Sequence, residues 1–114
     1  MGSERMRRVD RAIRQVLADA VAAPLKDPRV GFVTMTDVRT TSDMTSATVY
    51  FSVLGGQDER DSTLAGLRHA HGHLQGRIAK ELKLKRTPAL EFVYDDTTDR
   101  ALRVDRLIDE GAAR

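Results

Sequence analysis

The sequence predicts a single α+β domain built as two layers, helices against a small sheet. Three observations carry that expectation. Apolar residues recur at helical spacing in two long segments. They alternate at strand spacing in three short ones. The segments follow in the order helix, strand, strand, helix, helix, strand, with room for a short C-terminal helix. At 114 residues the chain is the size of one domain, and no repeat, low-complexity tract or linker divides it. The domain is expected to span residues 1–114, with 1–3 flexible and 98–114 an acidic tail.

Met6, Val9, Ile13, Val16, Leu17, Ala20 and Val21 place one apolar stripe on a helix over residues 4–22, leaving its arginines outside. Pro24 ends it, and PLKDPRVG reads as a loop. GFVTMTDVRTT is the first strand, with Phe32, Thr34, Thr36 and Val38 expected on one face and Val33 and Met35 on the other. A turn around Thr41, Ser42 and Asp43 leads to SATVYFSVLGG, where Ala47, Val49, Phe51 and Val53 alternate with polar neighbours, the hairpin partner of the first strand. Gly55 and Gly56 close it, and Asp61 or Ser62 is placed to cap the next helix. Leu64, Leu67, His71, Leu74, Ile78 and Leu82 then form a continuous stripe. Pro88 disfavours helix at Thr87, so LKLKRTPAL is an exit and LEFVYD a third strand. A return through helices permits that strand to pair in parallel. Leu102, Leu107 and Ile108 suit a final helix over 98–110.

Composition narrows function. The chain has no cysteine, which removes disulfides, thiolate metal sites and thiol chemistry, and fits a reducing cytoplasm. No apolar run approaches the length that spans a bilayer, so no membrane association is expected. Net charge is only +2, but it is unevenly placed. Five arginines face one Asp10 between Arg5 and Arg14, and five basic residues face one Glu81 between Arg77 and Arg86. From Asp95 to Glu110 six acidic residues outweigh Arg100, Arg103 and Arg106. This polarity suits an oriented approach to a polyanion, although solvated helix faces show the same composition.

The stretch HAHGHLQG, His69 to Gly76, raises two readings. As a metal site it is thin: His69 and His73 share a helix face while His71 points elsewhere, and zinc wants three or four ligands. As a bend it is better supported. Gly66, Gly72 and Gly76 each cost a helix about 1 kcal/mol relative to alanine, and Gly72 permits either unusual backbone angles or a close approach. The stretch is therefore expected to kink, with His71 on the apolar stripe and His69 and His73 outside. The five aromatics, Phe32, Tyr50, Phe51, Phe92 and Tyr94, fall in strands and are mostly core candidates, not a platform for stacking bases.

Taken in order, KDPRVGFVTMTDV, SATVYFSVLG, AHG, LKLKRTPALEFVYD and DRALRVDRLIDE resemble the ribosome-binding factor A family over nearly the whole length. The resemblance implies a KH-like fold of the second type, in which an Ala-x-Gly kink, here Ala70, His71 and Gly72, replaces the GxxG loop. Gly72 and Gly76 are one residue too far apart for GxxG, so the usual KH clamp on single-stranded RNA is not expected. The chain carries His73 and Gln75 where many members have an aromatic and a basic residue. The family further implies binding to the immature 30S subunit and its 16S rRNA and help with late maturation, notably in the cold.

The residues that suit such contacts are Arg7, Arg8, Arg11 and Arg14 on the first helix, the Ala70–His71–Gly72 kink, and Arg77, Lys80, Lys83, Lys85 and Arg86 beyond it. Lysine and arginine neutralise phosphates without reading bases. A monomeric, non-enzymatic RNA-binding factor without metal or cofactor is thus expected. Two other readings stand beside it: a small metal-dependent hydrolase using His69, His73 and a carboxylate such as Asp95, and a module that binds only protein.

Overall fold

The computed structural model describes residues 3–22, 30 and 32–97. The helix expected over 98–110, the first two residues and most of the PLKDPRVG loop lie outside the described residues. The elements are α1 (Ser3–Ala22), β1 (Val33–Thr40), β2 (Ser46–Val53), α2 (Gln57–His69), α3 (His71–Leu82) and β3 (Ala89–Tyr94). This is the expected order. The sheet runs β1-β2-β3, with β1 and β2 antiparallel and β3 parallel to β2.

The core lies between one face of this sheet and the helices. Ile13, Leu17 and Ala20 of α1, Leu67 of α2, and Leu74 and Ile78 of α3 meet Ala47, Val49 and Phe51 of β2 and Leu90 and Phe92 of β3. Each fully buried Leu, Ile or Phe contributes about 1.5–3 kcal/mol from removal of apolar surface from water. β2 is the central strand and buries every second residue, so the alternation read there is the one observed.

β1 departs from the expected alternation. Met35 and Val38 are both buried although they stand three apart, which a regular strand forbids. The register supplies the reason: Met35 pairs with Phe51 and Asp37 with Tyr50, leaving Thr36 as an extra, bulged residue. The expected face of Phe32, Thr34, Thr36 and Val38 is corrected accordingly. Of the four only Val38 is in the core, and Phe32 is 90% exposed, so it is also removed from the aromatic core candidates, as is Tyr50, which lies outside the core cluster. The bulge aims Thr36 across β2, where its hydroxyl donates to Asp95 Oδ2 at 2.6 Å.

α2 starts earlier than Asp61 or Ser62. Gly56 is its N-cap, and the Gly56 N–H donates to the Glu59 carboxylate at 2.8 Å. Gly55 has φ +125°, and a Cβ there would stand 2.6 Å from Glu59 Cγ, so glycine is required. At the far end of β3, Tyr94 stacks edge-on against Phe51 at 5.8 Å and holds the Arg60 guanidinium 4.2 Å above its ring.

Candidate nucleic-acid interface

Three anchors collect the candidate residues at one end of the sheet, the end of the β1–β2 turn. The first ties down α1: Asp10 Oδ1 accepts from the Thr40 N–H at 2.9 Å, at the last residue of β1. Arg7, Arg8 and Arg11 lie within a turn of Asp10 and are exposed, with Arg14 one turn further along. The second is the start of β3, where Ala89 N–H donates to Thr45 O at 3.0 Å. Lys83, Lys85 and Arg86, all exposed, lead directly into it. The third is Gln75, whose side-chain amide spans Pro88 and Leu90 and so brings the first turn of α3 to the same end. Basic groups some seventy positions apart in sequence thus share one end, with α1 packed beside α3.

The kink is present, and its mechanics differ from expectation. Ala70, at φ −83° and ψ 3°, separates α2 from α3. The ladder resumes with Leu74 N–H donating to Ala70 O at 3.0 Å. Gly72 lies beyond the break, in the first turn of α3, and is not among the positive-φ glycines. A Cβ at Gly72 or Gly76 would meet nothing within 4 Å. Among the described residues neither unusual backbone angles nor close packing explains these glycines. With Lys80 they fall at i, i+4 and i+8, a bare, exposed strip of backbone on the outer face of α3 that ends in a cation.

The individual side chains divide. Arg77 donates to Glu81 Oε1 at 2.8 Å and is about one-third exposed, so much of its charge is already answered within the helix. Lys83 is held in the left-handed region, at φ 48° and ψ 41°, as the C-cap of α3. Glycine is the usual occupant of that position because a Cβ crowds the following carbonyl. His71 is half-buried on the apolar stripe, while His69 and His73 are exposed. Among the described residues no three His, Cys, Asp or Glu side chains converge to hold a metal. Asp95, the carboxylate of the hydrolase reading, binds Thr36, and its N–H donates to Phe51 O at 2.7 Å, at the opposite end of the sheet from the kink.

Sequence reasoning placed Asp43 in the turn and noted Gln75, but missed the role of each. Gln75 stands where a basic residue is common in the resembled family, yet its amide is engaged by β3. Asp43 organises the β1–β2 turn at the same end: it accepts from the Thr41 and Thr45 hydroxyls, each at 2.7 Å, and from the Thr45 N–H at 3.1 Å. These bonds, the Thr41 hydroxyl foremost, hold its carboxyl down from 3.8 to about 2. Ser or Thr on both sides of a turn Asp is the signal that could have found it.

No helix among the described residues is long and apolar enough to cross a membrane.

Comparison with known proteins bears on the fold and the family. The profile described as ribosome-binding factor A matches residues 5–108. The ribosome-binding factor A proteins of Neisseria meningitidis serogroups C and B are each 45% identical over 112 residues, covering 98% of this chain and 90% of the relative. Among solved structures, the solution structure of a Thermotoga maritima protein described as a putative ribosome binding factor A aligns with TM-score 0.71 and 35% identity, covering 78% of this chain and 85% of that one. The crystal structure of ribosome-binding factor A from Thermus thermophilus aligns with TM-score 0.69 and 26% identity, covering 78% and 94%. A Thermus thermophilus homology model fitted into a cryo-EM map of a 30S complex aligns with TM-score 0.62 and 27% identity, covering 75% and 89%. By sequence profile, close relatives and fold alike, the chain belongs to the ribosome-binding factor A family.

Proposed function

We propose that this protein is a non-enzymatic assembly factor that binds the precursor 30S subunit through its 16S rRNA and assists late maturation of the subunit in the cytoplasm. The observation that carries the reading is the gathering of α1, the Ala70 kink and the Lys83–Arg86 turn at one end of the sheet. Family membership and the relative fitted into a 30S complex support the choice of partner. Cations that bind phosphates release counterions, so affinity built this way falls steeply with salt. The bare strip at Gly72 and Gly76 lets a nucleic-acid backbone approach α3 closely, with Lys80 at its end and Lys83, Lys85 and Arg86 beyond. This favours recognition of shape and phosphate over base reading. A role in the cold belongs to the same reading, and nothing in it demands more than a monomer.

Co-sedimentation with immature and mature 30S subunits over a salt series tests the reading. Salt-sensitive binding that favours the immature subunit is expected. No binding, or binding indifferent to salt, counts against it.

A further inference from the structure

Between Arg5 and Arg14 the only acid is Asp10. Its spacing from Arg7 and Arg14 would suit an ion pair along the helix, the ordinary use of a carboxylate there. Among the described residues, however, Arg7, Arg8, Arg11 and Arg14 take part in no ion pair. The Asp10 carboxylate instead leaves its helix to accept the Thr40 N–H at 2.9 Å. Among the described residues it is the only α1 side chain that hydrogen-bonds to another element. The place of this bond matters because the buried residues of α1 begin at Ile13 and run on through Val16, Leu17 and Ala20, whereas Met6 and Val9 are only half-buried. Arg7, Arg8 and Arg11 thus ride on turns that packing holds loosely, and Asp10 is the tie at that end. Asp10 is half-buried and the Thr40 hydroxyl is buried, so water does not easily take the place of the carboxylate. The tie continues across the end of the sheet. Thr40 leads into the turn whose Thr41 N–H donates to Ser46 O at 2.9 Å, and Thr45 O accepts the Ala89 N–H at 3.0 Å, just past Arg86.

We infer that Asp10 is a positioning residue for RNA binding: it fixes the unpaired arginines of α1 in register with Lys83, Lys85 and Arg86, so that both segments meet one array of phosphates. Cations held in place lose less freedom on binding than cations on a loose helix end. Asp10 does this at an electrostatic cost, since a carboxylate among arginines repels the phosphates that they attract. A residue that only diluted the basic patch could be replaced to advantage by any neutral side chain. Anchor and charge are separable, because the carbonyl of an asparagine side chain can accept the same N–H without carrying the charge. The inference rests on the function proposed above in taking the basic end as the one turned to RNA.

The test compares D10N and D10A in the full chain, by co-sedimentation with immature 30S subunits over a salt series and by amide hydrogen exchange at Thr40. D10A removes charge and anchor together. Electrostatics alone would make it bind more tightly, so weaker binding reports lost position. Expected for D10A are a cooperative thermal transition, faster exchange at Thr40, affinity lower by about threefold or more, and a salt slope shallower by roughly 1–2, near 0.7–0.9 for each phosphate no longer met. D10N should keep Thr40 protected, keep the parent slope, and bind as tightly as the parent or up to about threefold tighter. Binding by D10A equal to or tighter than that of the parent would overturn the inference, as would weaker binding by D10N with Thr40 still protected. If Thr40 loses protection in D10N as well, its affinity must fall with that of D10A, and retained affinity would again overturn the inference. A parent protein that binds no subunit would overturn the function proposed above along with this inference, whereas a binding parent with an unaffected D10A overturns the inference alone.

Discussion

Gln75 acts as one rung of the sheet: its Oε1 accepts the Leu90 N–H at 3.2 Å while its Nε2 donates to the Pro88 carbonyl on the outer edge of β3. A single side chain thereby closes part of an open strand edge, an arrangement that blunts edge-to-edge association. It also sets where the kink stands relative to the Lys83–Arg86 turn, because the same residue is one turn past Gly72.

Replacing Gln75 with alanine removes both bonds and leaves the part-buried Leu90 N–H without its partner. The expected loss is about 1–2 kcal/mol in urea unfolding, together with faster hydrogen exchange at Leu90. An unchanged midpoint and unchanged exchange would show that the rung carries no weight.

At Gly72 and Gly76 stability and binding are expected to move in opposite directions. Neither position needs glycine for backbone angles or internal room. Alanine at each should stabilise α3 by up to about 1 kcal/mol. The added methyl groups stand on the strip proposed to meet RNA, so affinity for the immature subunit should drop. A destabilised G72A would restore the view that this glycine makes the kink.

Lys83 gives a second such separation. Its left-handed conformation costs a non-glycine residue roughly 1 kcal/mol, a strain of the sort retained where function requires the side chain. Lys83→Gly is expected to raise the thermal midpoint and weaken subunit binding. Binding equal to the parent protein would remove Lys83 from the interface.

The Asp43 turn predicts a pH signature. Its carboxyl is depressed to about 2, so the contribution of its hydrogen bonds is complete above the ordinary value of 3.8 and is lost as pH falls through about 2. A carboxyl titration followed by NMR should give a midpoint near 2, with the Thr45 amide tracking it. A midpoint at the ordinary value would mean that the turn bonds do not persist in solution.

Much of this was legible in the residues, and the exceptions have physical reasons. The α3 stripe of His71, Leu74, Ile78 and Leu82 and the alternation of β2 are long, regular signals, and each faces a single core. The Thr36 bulge was hidden because threonines flank Met35 on both sides, so one extra residue changes no apolar count while it turns Phe32 outward. The α2 start was hidden because glycine lacks a side chain, and its partner Glu59 lies three residues on. Arg77 was readable as an i, i+4 partner of Glu81, and counting charge by segment concealed that pairing. Gln75 had no sequence signal, since its partners are backbone groups of a strand that the fold alone brings near. The convergence of the two basic segments likewise depends on Asp10 reaching Thr40, a contact between residues thirty positions apart.

The most direct measurement is the salt dependence of binding to immature 30S subunits, with Lys83, Lys85 and Arg86 reversed to glutamate together. The parent protein should show a linear fall of log affinity with log salt. The triple variant should bind at least about tenfold more weakly, with a slope shallower by roughly 2–3, near 0.7–0.9 for each phosphate no longer neutralised. Equal affinity and equal slope in a folded variant would contradict the assignment of this end of the sheet to RNA.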